Sequence, residues 1–379
     1  MYNDEKDLKA MKLLHYFITK KNYNPVIVHG IQNEIWLENM NAEFRIVRIV
    51  LGHIHNKEQL DFDTFKVSKL TRQIKIKTFT FHMKTLSFYI DLNEDVILED
   101  SKNNYLIDAT NLDKISKYDV IKKYYSDISK NLIFTEEGQS LYQKINNDIL
   151  RKNLDSSEKI NNLFKEKKPI ITYSLIIIMF ILLVLMYVVG NGTIYGMDVN
   201  TLYNFGGLVK KGSIIRVVTS IFLHIGVIHF AMNMWALNVL GKNIESFYGH
   251  IKMLIIFLYS GIVGNLLSLI LMNSNTISAG ASGSIFGLMG SLLYFAINQR
   301  TYMGEALKKQ ILPVIILNLG IGFMLPSINM FAHIGGLVGG VLISTALGIK
   351  YKTSTFEKVN GAIVSILLVG ILTYVAYFM

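Results

Sequence analysis

Four polar side chains stand in stretches otherwise apolar enough for lipid: His229, Asn233, Ser282 and His333. Ionisable and amide groups are costly in hydrocarbon, so each is a functional candidate where it occurs. A serine hydroxyl within hydrogen-bond reach of an imidazole is a nucleophile with its general base, which is the chemistry of acyl transfer. His229 and Asn233 are four residues apart and project from one helix face, where both could donate to the same oxyanion. Ser282 falls near a predicted helix N-terminus, whose unpaired N–H groups and dipole favour developing negative charge. Plainer readings stand beside these. A membrane serine can bond its own backbone, a histidine can join two helices, and Gly280-Ala281-Ser282-Gly283-Ser284 departs from the G-x-S-x-G elbow at its fifth position.

The elements that must position these groups are apolar runs. Ile170–Val189 is uncharged for 20 residues, enough to cross a hydrocarbon core of ~30 Å. A second run ends near Glu245, and others cover residues 253–272, 279–297, a short 311–325, 330–349 and 361–379, giving seven expected helices. The second is ambiguous because residues 217–241 are all uncharged; counting 20 residues back from Glu245 starts it at Gly226 and leaves 217–225 as loop. Such irregular backbone must be buried by protein. His229, Ser282 and His333 are each expected about three residues into their helices, roughly 5 Å along the axis. Gly280, Gly283, Gly287 and Gly290 in the fourth span, and Gly335, Gly336, Gly339 and Gly340 in the sixth, let two backbones approach closely. That approach would bring Ser282 to His333.

Basic residues set the orientation. Lys242 and Lys252, then Arg300, Lys308 and Lys309, then Lys350, Lys352 and Lys358 occupy alternate loops, as the positive-inside rule requires of a cytoplasmic N-terminus. Lys210, Lys211 and Arg216 in the first outer loop are the exception. Seven spans put Met379 on the outer side of a cell membrane. The opening residues MYNDEKDLKA lack the apolar stretch of a secretory signal.

Of 379 residues, 51% are hydrophobic and 17% charged, which excludes a disordered chain. Charge is uneven: 27 of 38 basic and 24 of 28 acidic residues lie in residues 1–168, leaving 11 and 4 for the rest. Residues 1–160 therefore read as a separate soluble domain, α/β or α+β, with an amphipathic helix over 4–20 and strands near Glu34, over 44–50 and over 86–92. Glu34, Glu38 and Glu43 could suggest a metal-dependent nuclease-like site, but solvated carboxylates are the expectation. A polar linker begins near Asp155, and residues 161–169 carry Lys165, Lys167 and Lys168. The charge pattern fits membrane topology and not nucleic acid. With no cysteine there is no thiolate or disulfide, and no metal or cofactor is expected.

Taken together, the motifs resemble the rhomboid intramembrane serine proteases. They are His229-Phe-Ala-Met-Asn233 for H-x-x-x-N, Gly280-Ala-Ser282-Gly283 for G-x-S-G, and Ala332-His333-Ile-Gly335-Gly336 with Gly339-Gly340 for A-H-x-x-G. The resemblance covers residues 170–350, with 351–379 as an additional C-terminal helix. It implies a rhomboid-like helical bundle of six core helices plus one. It also implies Ser282 as nucleophile, His333 as base, and His229, Asn233 and the Ser282 N–H as oxyanion donors. Gly280, Gly283, Phe286, Arg216 and Glu245 would support the site, and substrates would be transmembrane proteins cut near the outer face. Ile215 replaces a common tryptophan; Phe286 replaces a tyrosine of some members and can pack on His333. The fifth helix, with Gly320, Gly322 and Pro326 near one end, would be the mobile side of substrate entry. Two other classes compete. A catalytically dead relative that binds membrane clients is disfavoured by the presence of both Ser282 and His333. A transporter should show inverted repeats, and none is visible. The N-terminal domain could recruit a protein partner.

Overall fold

The structure, a computed structural model, describes residues 5–379 apart from 29, 194, 211, 274–275 and 326–327; Lys211 and Pro326 are thus outside the described residues. The chain divides into two compact units, Met1–Ile160 and Asn161–Met379.

In the first unit, α1 (Glu5–His15) runs on as a π turn, Tyr16–Lys20. Strands β1 (Asn24–Val26), β2 (Glu34–Glu38) and β3 (Phe44–Val50) precede α2 (Lys57–Lys77), which leads into β4 (Lys84–Tyr89) and β5 (Asn104–Asp108). The sheet order is β1-β2-β3-β4-β5, antiparallel from β1 to β3 and parallel from β3 to β5. A parallel pair needs a crossover, and α2 is that crossover between β3 and β4. Asn56 starts it, its side chain accepting from Gln59 N. Leu13, Phe17, Leu37, Val47 and Phe88 fill the core. Helices α3 (Asp119–Tyr124), α4 (Ile128–Asn131) and α5 (Gly138–Phe164) follow.

One sequence expectation fails here. Glu34 is not solvated: it accepts from Arg48 Nε at 2.6 Å, and Arg48, fully buried on β3, also forks onto Asp63 at 2.7 and 2.5 Å. Tyr89 OH donates to Asp63 at 2.8 Å, and Lys66 pairs with both carboxylates. Glu38 is buried as well, whereas Glu43 pairs with Lys84 at the surface. No group of three acidic or histidine residues suited to a metal occurs among the described residues.

Burial alone would raise the Glu34 and Asp63 carboxyls, but hydrogen bonds and charge from Arg48 and Lys66 hold both below the usual range. Their contribution to stability is therefore complete above the unfolded carboxylate range of ~4 and is lost as pH falls through the lowered folded values. Arg48→Met leaves the two buried carboxylates with Lys66 as their remaining cation and should cost about 3 kcal/mol. Faster amide exchange across β3 of the full chain is the expected sign; unchanged protection would contradict it.

In the second unit, α6 (Ile170–Val189) leads to a small hairpin, β6 (Gly192–Thr193) and β7 (Gly196–Met197). Then come α7 (Val199–Asn204), β8 (Leu208–Val209), α8 (Arg216–Thr219) with a 3-10 turn Ser220–Phe222, α9 (Val227–Tyr248) and α10 (His250–Leu271). Strand β9 (Ile277–Ser278) pairs with β8 and leads into α11 (Ser282–Asn298). Helices α12 (Arg300–Ala306), α13 (Leu312–Met324), α14 (Met330–Leu347) and α15 (Thr355–Phe378) complete it. Among the described residues, five helices are long and apolar enough to cross a membrane: α6, α10, α12 with α13, α14 and α15. The segment Arg216–Phe222 with α9 makes a sixth that is bent by 91°, and α11 is shorter.

The second span starts as counted, with Gly226 as its N-cap, but ends at Tyr248, where Gly249 has φ +91°. The expected loop 217–225 is partly helical, because Arg216–Phe222 forms two turns. The fifth span is not short: it runs continuously over Arg300–Met324. A π turn at Leu307–Ile311 lies just before Pro313 and lets the helix continue through a residue without an N–H. Lys308 and Lys309 sit on that turn and do not terminate the helix; long basic side chains reach back to the interface.

Candidate active site

Helices α11 and α14 meet at their glycines. A Cβ built at Gly336 would land on the Gly283 carbonyl, one at Gly340 on the Gly287 carbonyl, and one at Gly290 on the Leu337 carbonyl. At the top of this seam a Cβ on Gly283 would lie 3.2 Å from Ala332 O. Gly283 follows Ser282 and Ala332 precedes His333, so both candidate residues flank the point of contact. A third helix, which sequence reasoning overlooked, completes the packing. On α10, Gly264 lies against Ala332 O (2.5 Å for a built Cβ), and Gly335 and Gly339 lie against Gly264 and Ser260 in turn.

Ser282 is the first residue of α11 and not the third, because Gly280 is still loop at φ +144°. Its N–H thus belongs to the unpaired first turn. His333 is the fourth residue of α14 and is buried, with Nδ1 lacking a hydrogen-bond partner; its ring stacks on Phe286 at 4.1 Å and 15°. No hydrogen bond joins Ser282 to His333 among the described residues.

His229 lies against the loop that precedes Ser282. A Cβ at Gly280 would stand 2.8 Å from His229 Cε1 and 3.0 Å from Nε2, so the imidazole occupies room that only glycine leaves. Asn233 is buried one turn below and donates from Nδ2 to His229 O at 2.8 Å, which leaves its second amide hydrogen for another acceptor.

One positioning residue, Asn329, and one buried histidine beside the site escaped the sequence. Asn329 caps α14, its Oδ1 accepting from Ala332 N at 3.1 Å, while its Nδ2 donates to Ser268 on α10 (2.6 Å) and Ser278 on β9 (2.9 Å). One amide therefore ties together the helix of His333, the central helix and the strand before Ser282. An asparagine three residues before the A-H motif could have been read as a cap. His224, fully buried beside the bend, has its ring 5.3 Å from that of His229.

The supporting residues hold the frame. The Arg216 guanidinium stacks on Tyr203 at 4.1 Å and donates to Tyr203 O (2.7 Å) and Gly207 O (2.9 Å). This fastens the first loop through backbone carbonyls, and Ile215 is exposed. Glu245 is fully buried and accepts from Ile171 N (2.8 Å), Thr172 N (2.9 Å) and Thr172 Oγ1 (2.7 Å), with His250 Nδ1 at 2.6 Å. It caps α6 from α9. Glu245→Ala strands these donors and should lower stability by roughly 2 kcal/mol. A melting temperature in detergent lower by about 4–8 °C is expected; an unshifted melt would contradict this role.

The model of the Rhomboid domain matches residues 211–350, a stretch that contains His229, Asn233, Ser282, His333, Arg216 and Glu245. "Putative rhomboid protease YdcA" of Bacillus subtilis (strain 168) is 33% identical over 147 residues, covering 39% of this chain and 73% of that protein. The chain belongs to the rhomboid family. Another rhomboid of that organism, "Rhomboid protease GluP", is 37% identical over 217 residues, 56% of this chain and 41% of the relative. "RHOMBOID-like protein 7" of Arabidopsis thaliana is 39% identical over 145 residues, 38% of this chain and 46% of the relative. The chain thus spans less than half the length of these last two rhomboids. The family includes proteins named as proteases and others named only as rhomboid-like.

Proposed function

We propose that this chain is an intramembrane serine endopeptidase that cleaves transmembrane proteins near the outer face of the membrane, with the N-terminus cytoplasmic and the C-terminus outside. The observation that carries this reading is the glycine seam, which puts the helix ends bearing Ser282 and His333 in backbone contact. Ser282 Oγ attacks the scissile carbonyl and its proton passes to His333. The oxyanion receives hydrogen bonds from the Ser282 N–H, His229 and Asn233. His333 then returns the proton to the leaving amine, and a water deprotonated by His333 hydrolyses the acyl-enzyme. No cofactor is needed. Phe286 holds the imidazole plane by stacking and offers no competing donor. An inactive client-binding relative has no need of this pairing of serine, histidine and two amide or imidazole donors.

The test is reconstitution of the full chain in vesicles with a membrane-anchored reporter. The products should end within the reporter's outer juxtamembrane or upper transmembrane residues by mass spectrometry. Cleavage confined to the inner side, or no cleavage of any membrane-anchored reporter, would overturn the proposal.

A further inference from the structure

The N-terminal domain carries a surface that burying a soluble core does not explain. Along the outer face of α2, residues Phe62, Phe65, Lys69, Arg72 and Ile76 recur every three or four positions. The two phenylalanines are 71% and 68% exposed. The helix then enters a turn in which the usual order is inverted: Thr78 and Thr80 are buried while Phe81 is 76% exposed. The threonines are fixed there by hydrogen bonds, Thr78 Oγ1 to Ile74 O at 2.8 Å and to Thr80 Oγ1 at 3.0 Å. Phe79 adopts φ +49°, a conformation uncommon for any residue but glycine and costly for a bulky one. The turn holds the Phe81 ring outward, edge-on to Phe79.

Charge on this face is basic beyond its first turns, where Glu58 and Asp61 are exposed. Residues 64–90 contain six Lys or Arg and no Asp or Glu. Lys66 and Lys84 are engaged by Glu34 and Asp63 and by Glu43; Lys69, Arg72, Lys75 and Lys77 form no ion pair among the described residues. A second copy of the same face would set these cations against each other. A helix with exposed aromatic residues beside lysine and arginine is suited to an anionic lipid interface, where rings enter the headgroup boundary and cations meet phosphates. The same chain carries helices long and apolar enough to cross a membrane. We infer that the outer face of α2 and the Thr78–Phe81 turn form a docking surface for anionic phospholipid.

The absence of cysteine makes the test direct. Phe65→Cys, Phe81→Cys and, as a remote control, Ser126→Cys are introduced singly into the full chain and labelled with an environment-sensitive fluorophore. The protein is then reconstituted in phosphatidylcholine vesicles with or without phosphatidylglycerol. With anionic lipid, labels at residues 65 and 81 should shift to the blue and be quenched by nitroxide lipid, while the label at 126 stays aqueous. Pure phosphatidylcholine should leave all three aqueous. Each cation is worth about a fivefold preference for the anionic surface, so Lys69→Glu with Arg72→Glu and Lys75→Glu should abolish the shift. Labels that remain aqueous in anionic vesicles overturn the inference. So does a shift that depends on protein-to-lipid ratio, which marks a second copy, or one produced by duplex RNA but not by lipid.

Discussion

Ser282→Ala is expected to reduce cleavage of a membrane-anchored reporter to background, and His333→Ala to do the same. When a nucleophile and its base act as a unit, removing either costs nearly all of what removing both costs, on the order of 10⁴–10⁶ in kcat. The double variant should therefore be no slower than the single ones. Two independent residues would instead multiply their effects. Fold should survive, because Ser282 is only half-buried at a helix end and neither side chain makes a hydrogen bond that the packing needs. His229→Ala and Asn233→Ala should be milder, since one oxyanion donor is worth ~3–4 kcal/mol at most.

Gly340→Leu has the second largest expected effect, although it touches no reacting atom. A Cβ at that position would fall on the carbonyl of Gly287, so a leucine must push α14 away from α11. Displacement of about 1 Å at a catalytic pair can cost ~100-fold, and forcing the helices apart should cost at least that in reporter cleavage. Gly370→Leu is the control. It sits on α15, where an added Cβ meets nothing within 4 Å, and activity should be unchanged. Equal losses in the two variants would mean that general destabilisation, not separation at the seam, is responsible.

The helical membrane bundle and the N-terminal α/β region were legible because lipid and soluble cores impose different periodicities. Uncharged Ile170–Val189 had no other physical home, and the start of α9 at Gly226 followed from span length alone. Polar networks were not legible. Arg48 shares its strand face with Phe44, Ile46 and Val50, but only the α2 crossover brings Asp63 to it. Glu34 was misread for the same reason. At the site, Gly283, Gly287, Gly336 and Gly340 announced a close seam, but α10 as the third member did not emerge, because its Gly261 and Gly264 stand among larger apolar residues. Asn329 went unnoticed because its partners, Ser268 and Ser278, are remote in sequence. The length of the fifth helix was missed because Lys308 and Lys309 looked like a loop, whereas a π turn keeps them helical.

In the proposed mechanism an imidazole on α14 activates a hydroxyl on α11 inside the bilayer. Fluorophosphonate labelling followed by peptide mapping tests it most directly, because the probe reacts only with an activated serine and needs no knowledge of the natural substrate. One adduct is expected, on Ser282, formed by the wild-type protein and lost in His333→Ala although that variant remains folded. An adduct on another residue, or labelling of Ser282 that proceeds equally well without His333, would contradict it.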